Sequence, residues 1–316
     1  MKSYVFVFLK GLAMGAANVI PGVSGGTIAL ITGIYEKLIN SLKAIDLEVI
    51  KMVFTGKIKQ AWEHVNATFL LLLFAGIGVS LVSLAKLFKF FLEHENPAYE
   101  IGLMAFFFGL ILASLFSVGK TVEKWNPVVI VSFIIGVAAA VGIALLTPAS
   151  ENGSWWYLII CGIVGMCSMI LPGLSGSFVL IIMGNYKLIM LDAVSEFNMK
   201  VLMPVMIGVV VGMVALSRAL SWIFKHYRDI TISLMTGFIL GSLLIIWPWK
   251  NELYYTNDAG EFILKEGEKL VSGYSWYMPD FGSSATWIAV LMAVLGATSI
   301  WGTEFLAAKL GGKEEV

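Results

Sequence analysis

"NVIPGVSGGT", residues 18–27, lies inside a hydrophobic stretch that otherwise reads as an ordinary membrane helix. Pro21, Gly22, Gly25 and Gly26 break any helix that holds them so close together. Backbone groups freed by such a break cost several kcal/mol each in hydrocarbon unless something satisfies them. The fold turns on what that break is for.

Composition sets the class. Of 316 residues, 59% are hydrophobic and 13% charged, about half the charge of a soluble domain, and the mean hydropathy is +0.88. The net charge of zero gives nucleic-acid binding no electrostatic support. Apolar runs predict full-length spans at about 67–89, 99–118, 127–147, 201–224, 229–247 and 285–306. Two further apolar segments, 4–40 and 155–190, are each interrupted in the middle. Lys10 interrupts the first apolar run, so no cleavable signal is expected there.

Two polar loops lie between the spans. In 36–66, Leu38, Leu42, Ile45, Val49 and Met52 recur at helical spacing among Lys37, Lys43, Lys51, Lys57 and Lys59. That pattern predicts an amphipathic helix on the membrane surface. In 248–284, "YYTNDAGEFIL" predicts a small hairpin outside the membrane, turning at Asn257–Gly260.

The break is repeated. A shift of 151 residues aligns Gly11 with Gly162, Pro21-Gly22 with Pro172-Gly173 and Ser24-Gly25 with Ser175-Gly176. It also pairs Gly33 with Gly184 and Tyr35 with Tyr186. Beyond the hairpins the match continues at other offsets: "GLILASL" (109–115) resembles "GFILGSL" (237–243), and Lys86 falls opposite Arg218. Residues 1–150 and 151–316 thus form two repeats, each a broken segment followed by three spans.

Positive charge orients them. With re-entrant hairpins and a cytoplasmic N-terminus, the inside holds Lys2, Lys10, the five loop lysines, Lys120, Lys124, Lys225, Arg228, Lys309 and Lys313. The outside keeps Lys187, Lys200 and the net-acidic 248–284 loop, with Lys86 and Lys89 near a helix end. This obeys the positive-inside rule and places both termini in the cytoplasm. Three spans per half then orient the halves oppositely. The expected fold is an all-α polytopic membrane protein of two inverted repeats, each a re-entrant helical hairpin plus three transmembrane helices. Fully crossing segments would make the halves parallel and the charge bias poorer.

In such a hairpin a second half-helix starts around Thr27 or Ser177 and aims its N-terminus at the membrane interior. Its first N–H groups are expected to be unpaired and to carry partial positive charge. Gly22, Gly25, Gly26, Gly173 and Gly176 allow close backbone approach, and Ser24, Thr27, Ser175 and Ser177 add hydroxyls. With Asn18 these are the candidate ligands for a phosphate head, held without a charged side chain. Small residues also serve plain helix packing. Recurrence of the motif favours a site.

Other residues carry less. Lys86 and Arg218 suit head-group contact or snorkelling equally, and Glu304 is either a coupling carboxylate or an interfacial one. Asn185 reads as a cap beside its break, and Cys161 and Cys167 as small buried residues. His64, His94 and His226 take no role, and no metal-binding or nucleophile pattern occurs.

"KGLAMGAANVIPGVSGGTIALITGIYEKLI" (10–39) and "LPGLSGSFVLIIMGNY" (171–186) closely resemble a bacterial and archaeal membrane family, the polyprenyl-phosphate transporters of the PopT type. The resemblance covers essentially the whole chain. It implies a flippase returning undecaprenyl phosphate from the outer to the inner leaflet of the cytoplasmic membrane for lipid-carrier recycling. A phosphate monoester carries about −1.5 to −2 charges. Moving it inward against an inside-negative potential costs about 2.3 kcal/mol per charge per 100 mV, roughly 3–5 kcal/mol in all. Co-transport of H⁺ or Na⁺ is therefore expected, with no other cofactor.

The rival enzyme reading is an undecaprenyl-pyrophosphate phosphatase, whose P-G-x-S-R-S motif the sequence resembles. Its Arg is here Gly25 or Gly176, and no E-x-x-x-E lies in the membrane segments. Hydrolysis then lacks its usual electrostatic stabilisation. A small-anion transporter is the other alternative, since opposed half-helices suit any anion; it needs no lateral opening to lipid.

Overall fold

The computed structural model describes residues 2–19, 24–92, 96, 98–194, 196–254, 264–265, 268–269 and 271–310. The chain is mostly helical, as expected. The first broken segment runs as α1 (Lys2–Val19), α2 (Gly25–Ile31) and α3 (Tyr35–Lys43). The second runs as α9 (Trp155–Ile170), α10 (Gly176–Ile182) and a π-helical stretch, Lys187–Ala193. α2 packs back along α1, and α10 along α9. Each returning arm is itself broken after seven residues, about 10 Å of helix. At both breaks a glycine adopts positive φ, Gly33 at 70° and Gly184 at 74°, so the repeat extends to the turns.

The amphipathic segment is three helices where one was expected: α3, α4 (Leu47–Phe54) and α5 (Ile58–His64). Asp46 stops the first run because its carboxylate accepts the N–H groups of Glu48 and Val49 and so caps α4. Gly56, at φ 74°, ends the second. Leu38 and Leu42 are buried, whereas α4 buries nothing and exposes Leu47 (79%) and Phe54 (87%).

The remaining helices are α6 (Ala67–Leu92), α7 (Ala98–Gly119), α8 (Pro127–Ala144), α11 (Met199–His226), α12 (Arg228–Ser242) and α13 (Ser284–Leu310). By length and composition, α7, α8 and α11 can each cross a membrane. A fourth span is reached if α5 and the first part of α6, which meet at a 65° bend, count as one. That is fewer than the six continuous spans expected, counted among the described residues. α12 is 15 residues long, about 22 Å against a hydrocarbon core of roughly 30 Å. Its apolar sequence continues past Ser242 as turns rather than helix. α13 runs without a break over 27 residues. These helices make the chain a multi-pass membrane protein.

The 248–284 loop is a β-hairpin at its base. β1 (Lys250–Tyr254) pairs antiparallel with β4 (Val271–Trp276), and β2 (Leu264–Lys265) with β3 (Glu268–Lys269). The expected turn at Asn257–Gly260 lies outside the described residues.

Four close helix pairs hold the molecule, and glycines set their distance. On α1–α6, Gly11 faces Leu73 and Gly76; on α9–α11, Gly162 faces Val205 and Gly208. On α7–α13, Gly109 faces Ala293 and Gly296 faces Phe106; on α12–α8, Gly237 faces Phe133 and Gly136 faces Leu234. Two crossings lie within a half, α1–α6 and α9–α11, and two join the halves, α7–α13 and α12–α8. A Cβ at Gly162 would stand 2.2 Å from the Val205 carbonyl oxygen, so no larger residue fits without parting the helices. Gly162→Leu is expected to destabilise the detergent-purified chain by about 1–3 kcal/mol or more in thermal unfolding. Gly78→Leu, where a Cβ meets nothing within 4 Å, should stay within about 0.5 kcal/mol.

Candidate functional site

The first hairpin tip is built by local capping. Ser24 sits in extended backbone (φ −112°, ψ 128°), and its Oγ accepts the Gly26 N–H at 3.2 Å. Asn18, near the end of α1, accepts the Gly25 N–H on its Oδ1 at 2.8 Å. The Thr27 N–H donates to the Ser24 carbonyl at 3.0 Å. The N–H groups expected to be free at this half-helix are therefore taken, because Asn18 and Ser24 lie within reach. A Cβ on Gly25 would stand 2.7 Å from Asn18 Oδ1 and so displace the Asn18 side chain.

The second tip differs. Ser175 occupies the same extended N-cap position but makes no side-chain cap. Its Oγ pairs with Ser177 Oγ at 2.9 Å. Met169 stands where the repeat has Asn18, and it packs on Gly176 without offering an acceptor. Among the described residues, the Gly176 and Ser177 N–H groups have no hydrogen-bond partner. The first donors are thus paired at α2, while those of α10 have no partner among the described residues.

The two tips meet. Ser24 Oγ donates to the Leu171 carbonyl at 3.2 Å, and the Gly173 N–H donates to Thr27 Oγ1 at 2.8 Å. Gly26 lies so close to the other hairpin that a Cβ would be 2.5 Å from the Ile170 carbonyl oxygen. Ser24, Thr27 and Ser175 are 2%, 1% and 5% exposed, and Ser177 is half-buried. Gly173 holds a φ of 82°, which only glycine adopts cheaply. Asn18, Ser24, Gly25, Gly26, Thr27, Gly173, Ser175, Gly176 and Ser177 are thus gathered at one junction. Gly22 lies outside the described residues.

The other candidates stand apart. Arg218 is exposed on α11. Lys86 lies on α6 and Glu304 on α13, with side chains outside the described residues, as is His94 entirely. Asn185 is fully buried; its Oδ1 accepts the Asn152 N–H and its Nδ2 donates to the Asn152 carbonyl, tying the second turn to the loop before α9. Cys161 and Cys167 are free thiols in α9. His226 stacks on Trp222 at 4.8 Å. On the surface, ligand atoms of Asp46, Glu48 and His64 lie within 4.8 Å of one another, with Asp46 engaged in its cap.

Lys10 has a role that the charge count alone did not give. From within α1 its Nζ donates to the carbonyl of Thr32 at the C-terminal end of α2, at 2.8 Å. A cation at a helix C-terminus is stabilised by the peptide dipoles. Lys10 therefore pins the first returning arm.

A multi-pass membrane protein with two broken helices joined at their tips is the architecture of a carrier, with polar backbone exposed only where protein buries it. Residues 14–263 match the VCA0040-like family, described as undecaprenyl phosphate translocase-like, and the chain belongs to that family. It is 40% identical to a polyprenyl-phosphate transporter of Vibrio cholerae, over 82% of this chain and 83% of that one. It is 32% identical to a polyprenyl-phosphate transporter of Staphylococcus aureus, over 76% of this chain and 85% of that one. These are names of transporters and not of enzymes. No solved structure matches.

Thr27→Val keeps the shape of the junction but leaves the buried Gly173 N–H without its acceptor, at a cost of about 1–3 kcal/mol. Thermal unfolding should fall accordingly, and amide exchange around 171–175 should quicken. Thr27→Ser should restore both.

Proposed function

We propose that this protein is a flippase that carries undecaprenyl or another polyprenyl phosphate from the outer to the inner leaflet of the cytoplasmic membrane. In this reading the halves are inverted repeats, the broken segments are re-entrant hairpins, and both termini are cytoplasmic. The lysine distribution and the paired helix crossings support that arrangement. The observation that carries the proposal is the junction itself. Two broken helices meet there through neutral groups, and α10 keeps N–H groups and the Ser175–Ser177 hydroxyl pair beside its break.

The head group binds at this junction through Gly176, Ser177 and the Ser175 hydroxyl, with Ser24 and Thr27 holding the opposite tip in place. Neutral donors suit a passenger that must leave again, since a hydrogen bond to a neutral group contributes about 0.5–1.5 kcal/mol net. The inward step against the membrane potential is offset by H⁺ or Na⁺ carried with the lipid.

Cells lacking the protein should accumulate surface-exposed undecaprenyl phosphate. Ser175→Ala should reproduce much of that accumulation at normal protein level; unchanged exposure on deletion would refute lipid transport. In proteoliposomes at fixed membrane potential, uptake should rise with an inward H⁺ or Na⁺ gradient. Equal uptake with and without either gradient would remove the coupling.

A further inference from the structure

We infer that an apolar cleft beside the second hairpin receives the first isoprene units of the lipid whose phosphate sits at the hairpin tips, an assignment that rests on the transport reading above. The cleft has a volume of about 180 Å³ and lies between the C-terminal end of α8, one flank of α10 and the β1–β4 pair. Leu145, Phe178, Ile181, Leu253, Gly273 and Tyr274 line it. Whole small-molecule pockets run to about 300–1,000 Å³. This volume suits a short stretch of chain, with the rest left in the bilayer.

The cleft lies next to the polar tip along α10, and that place points to its occupant. Phe178 follows Ser177 directly and lines the cleft, and Ile181 lies about 6 Å further along the helix axis. In a polyprenyl phosphate the phosphate is esterified to the first isoprene. A head group at Ser175 and Ser177 therefore brings branched hydrocarbon onto this flank of α10. The flank is already apolar: Phe178 packs with Ala144 and Ile245, and Ile182 and Tyr274 lie against them. Trp276, also in the lining, turns its indole N–H away to the Leu244 carbonyl at 2.9 Å and offers the cleft only hydrocarbon. Most of this wall is hydrocarbon, with the Lys250 ammonium 4.6 Å from the Tyr274 ring, so a branched chain gains contact area along the greater part of it.

The β-hairpin then has a function, since Gly273 and Leu253 are paired neighbours that close the outer side of the cleft. Gly273 is the means to test this, because a Cβ there meets nothing within 4 Å. A leucine side chain can enter the space without moving backbone.

The test uses the purified full chain and two probes, farnesyl phosphate and methyl phosphate, with binding read by calorimetry. Gly273→Leu and Ile181→Trp should each weaken farnesyl phosphate about tenfold, the loss of roughly two buried methylene-sized groups. Methyl phosphate binding should not change. Farnesyl phosphate held as tightly by both variants as by the unsubstituted protein would overturn the assignment, as would equal losses for the two probes. Farnesyl phosphate bearing a diazirine at its first isoprene, crosslinked to the unsubstituted chain, should label residues 178–182 or 271–276; labelling elsewhere overturns the assignment without any substitution. An unsubstituted protein that binds neither probe would overturn the transport reading as well, which separates the two failures.

Discussion

A helix broken inside a membrane leaves backbone groups that water cannot reach, and here the two breaks satisfy each other. The Gly173 N–H of one hairpin goes to the Thr27 hydroxyl of the other, and the Leu171 carbonyl accepts from Ser24. Each of these bonds, left unmade, would leave a buried backbone group unpaired at a cost of about 1–3 kcal/mol, so each break helps to stabilise the other. The glycine crossings follow from the same requirement. α1 and α9 must be held rigidly for their ends to register within hydrogen-bond distance. Their close contacts with α6 and α11, through Gly11 and Gly162, supply that rigidity.

The junction is not symmetric, and the difference lies in one pair of residues. Asn18 accepts the Gly25 N–H, while Met169, at the matched place, covers Gly176 with a thioether side chain. A side-chain amide saturates a helix start; a methionine shields it from lipid but leaves the donors open. The C-terminal ends are held in both: Lys10 donates to the Thr32 carbonyl after α2, and the Tyr157 hydroxyl donates to the Met183 carbonyl after α10 at 2.9 Å. The difference lies at the helix starts: side chains take the first donors of α2, whereas the Gly176 and Ser177 N–H groups of α10 have no partner among the described residues.

Much of this was legible in the residues. The shift of 151 located both breaks, both positive-φ turns and the pairing of the two serine caps, because each is a local demand of the backbone on Gly, Pro or Ser. The same shift places Met169 opposite Asn18, so the asymmetry was also readable. The crossings of α7 with α13 and α8 with α12 were less so, since they join glycines in segments whose offset differs from that of the hairpins. Hydropathy does not sense where a helix stops. The apolar run through Leu243–Trp249 leaves α12 at Ser242 and continues as turns toward β1. The split of the surface segment at Asp46 and Gly56 was written in ordinary cap and stop residues. A periodic apolar stripe masked it. That Ser24 and Thr27 bind the opposite tip could not be read from either repeat alone, since the bond belongs to their meeting.

Among the described residues that meet at the junction none is charged, which fits the proposed carriage better than capture. A guanidinium would form charge-assisted bonds to a phosphate worth about 1.5–3 kcal/mol each, against about 0.5–1.5 for neutral donors. Two or three such bonds would lower the bound state enough to slow release, and a buried arginine without its anion would itself be costly. Hydroxyl and backbone donors avoid both penalties. They leave the empty junction uncharged, so it can rearrange within hydrocarbon without dragging a charge through it. On the transport mechanism proposed above, the charge of the lipid is the term that a mobile cation balances, and that cation departs with its passenger as a fixed side chain cannot.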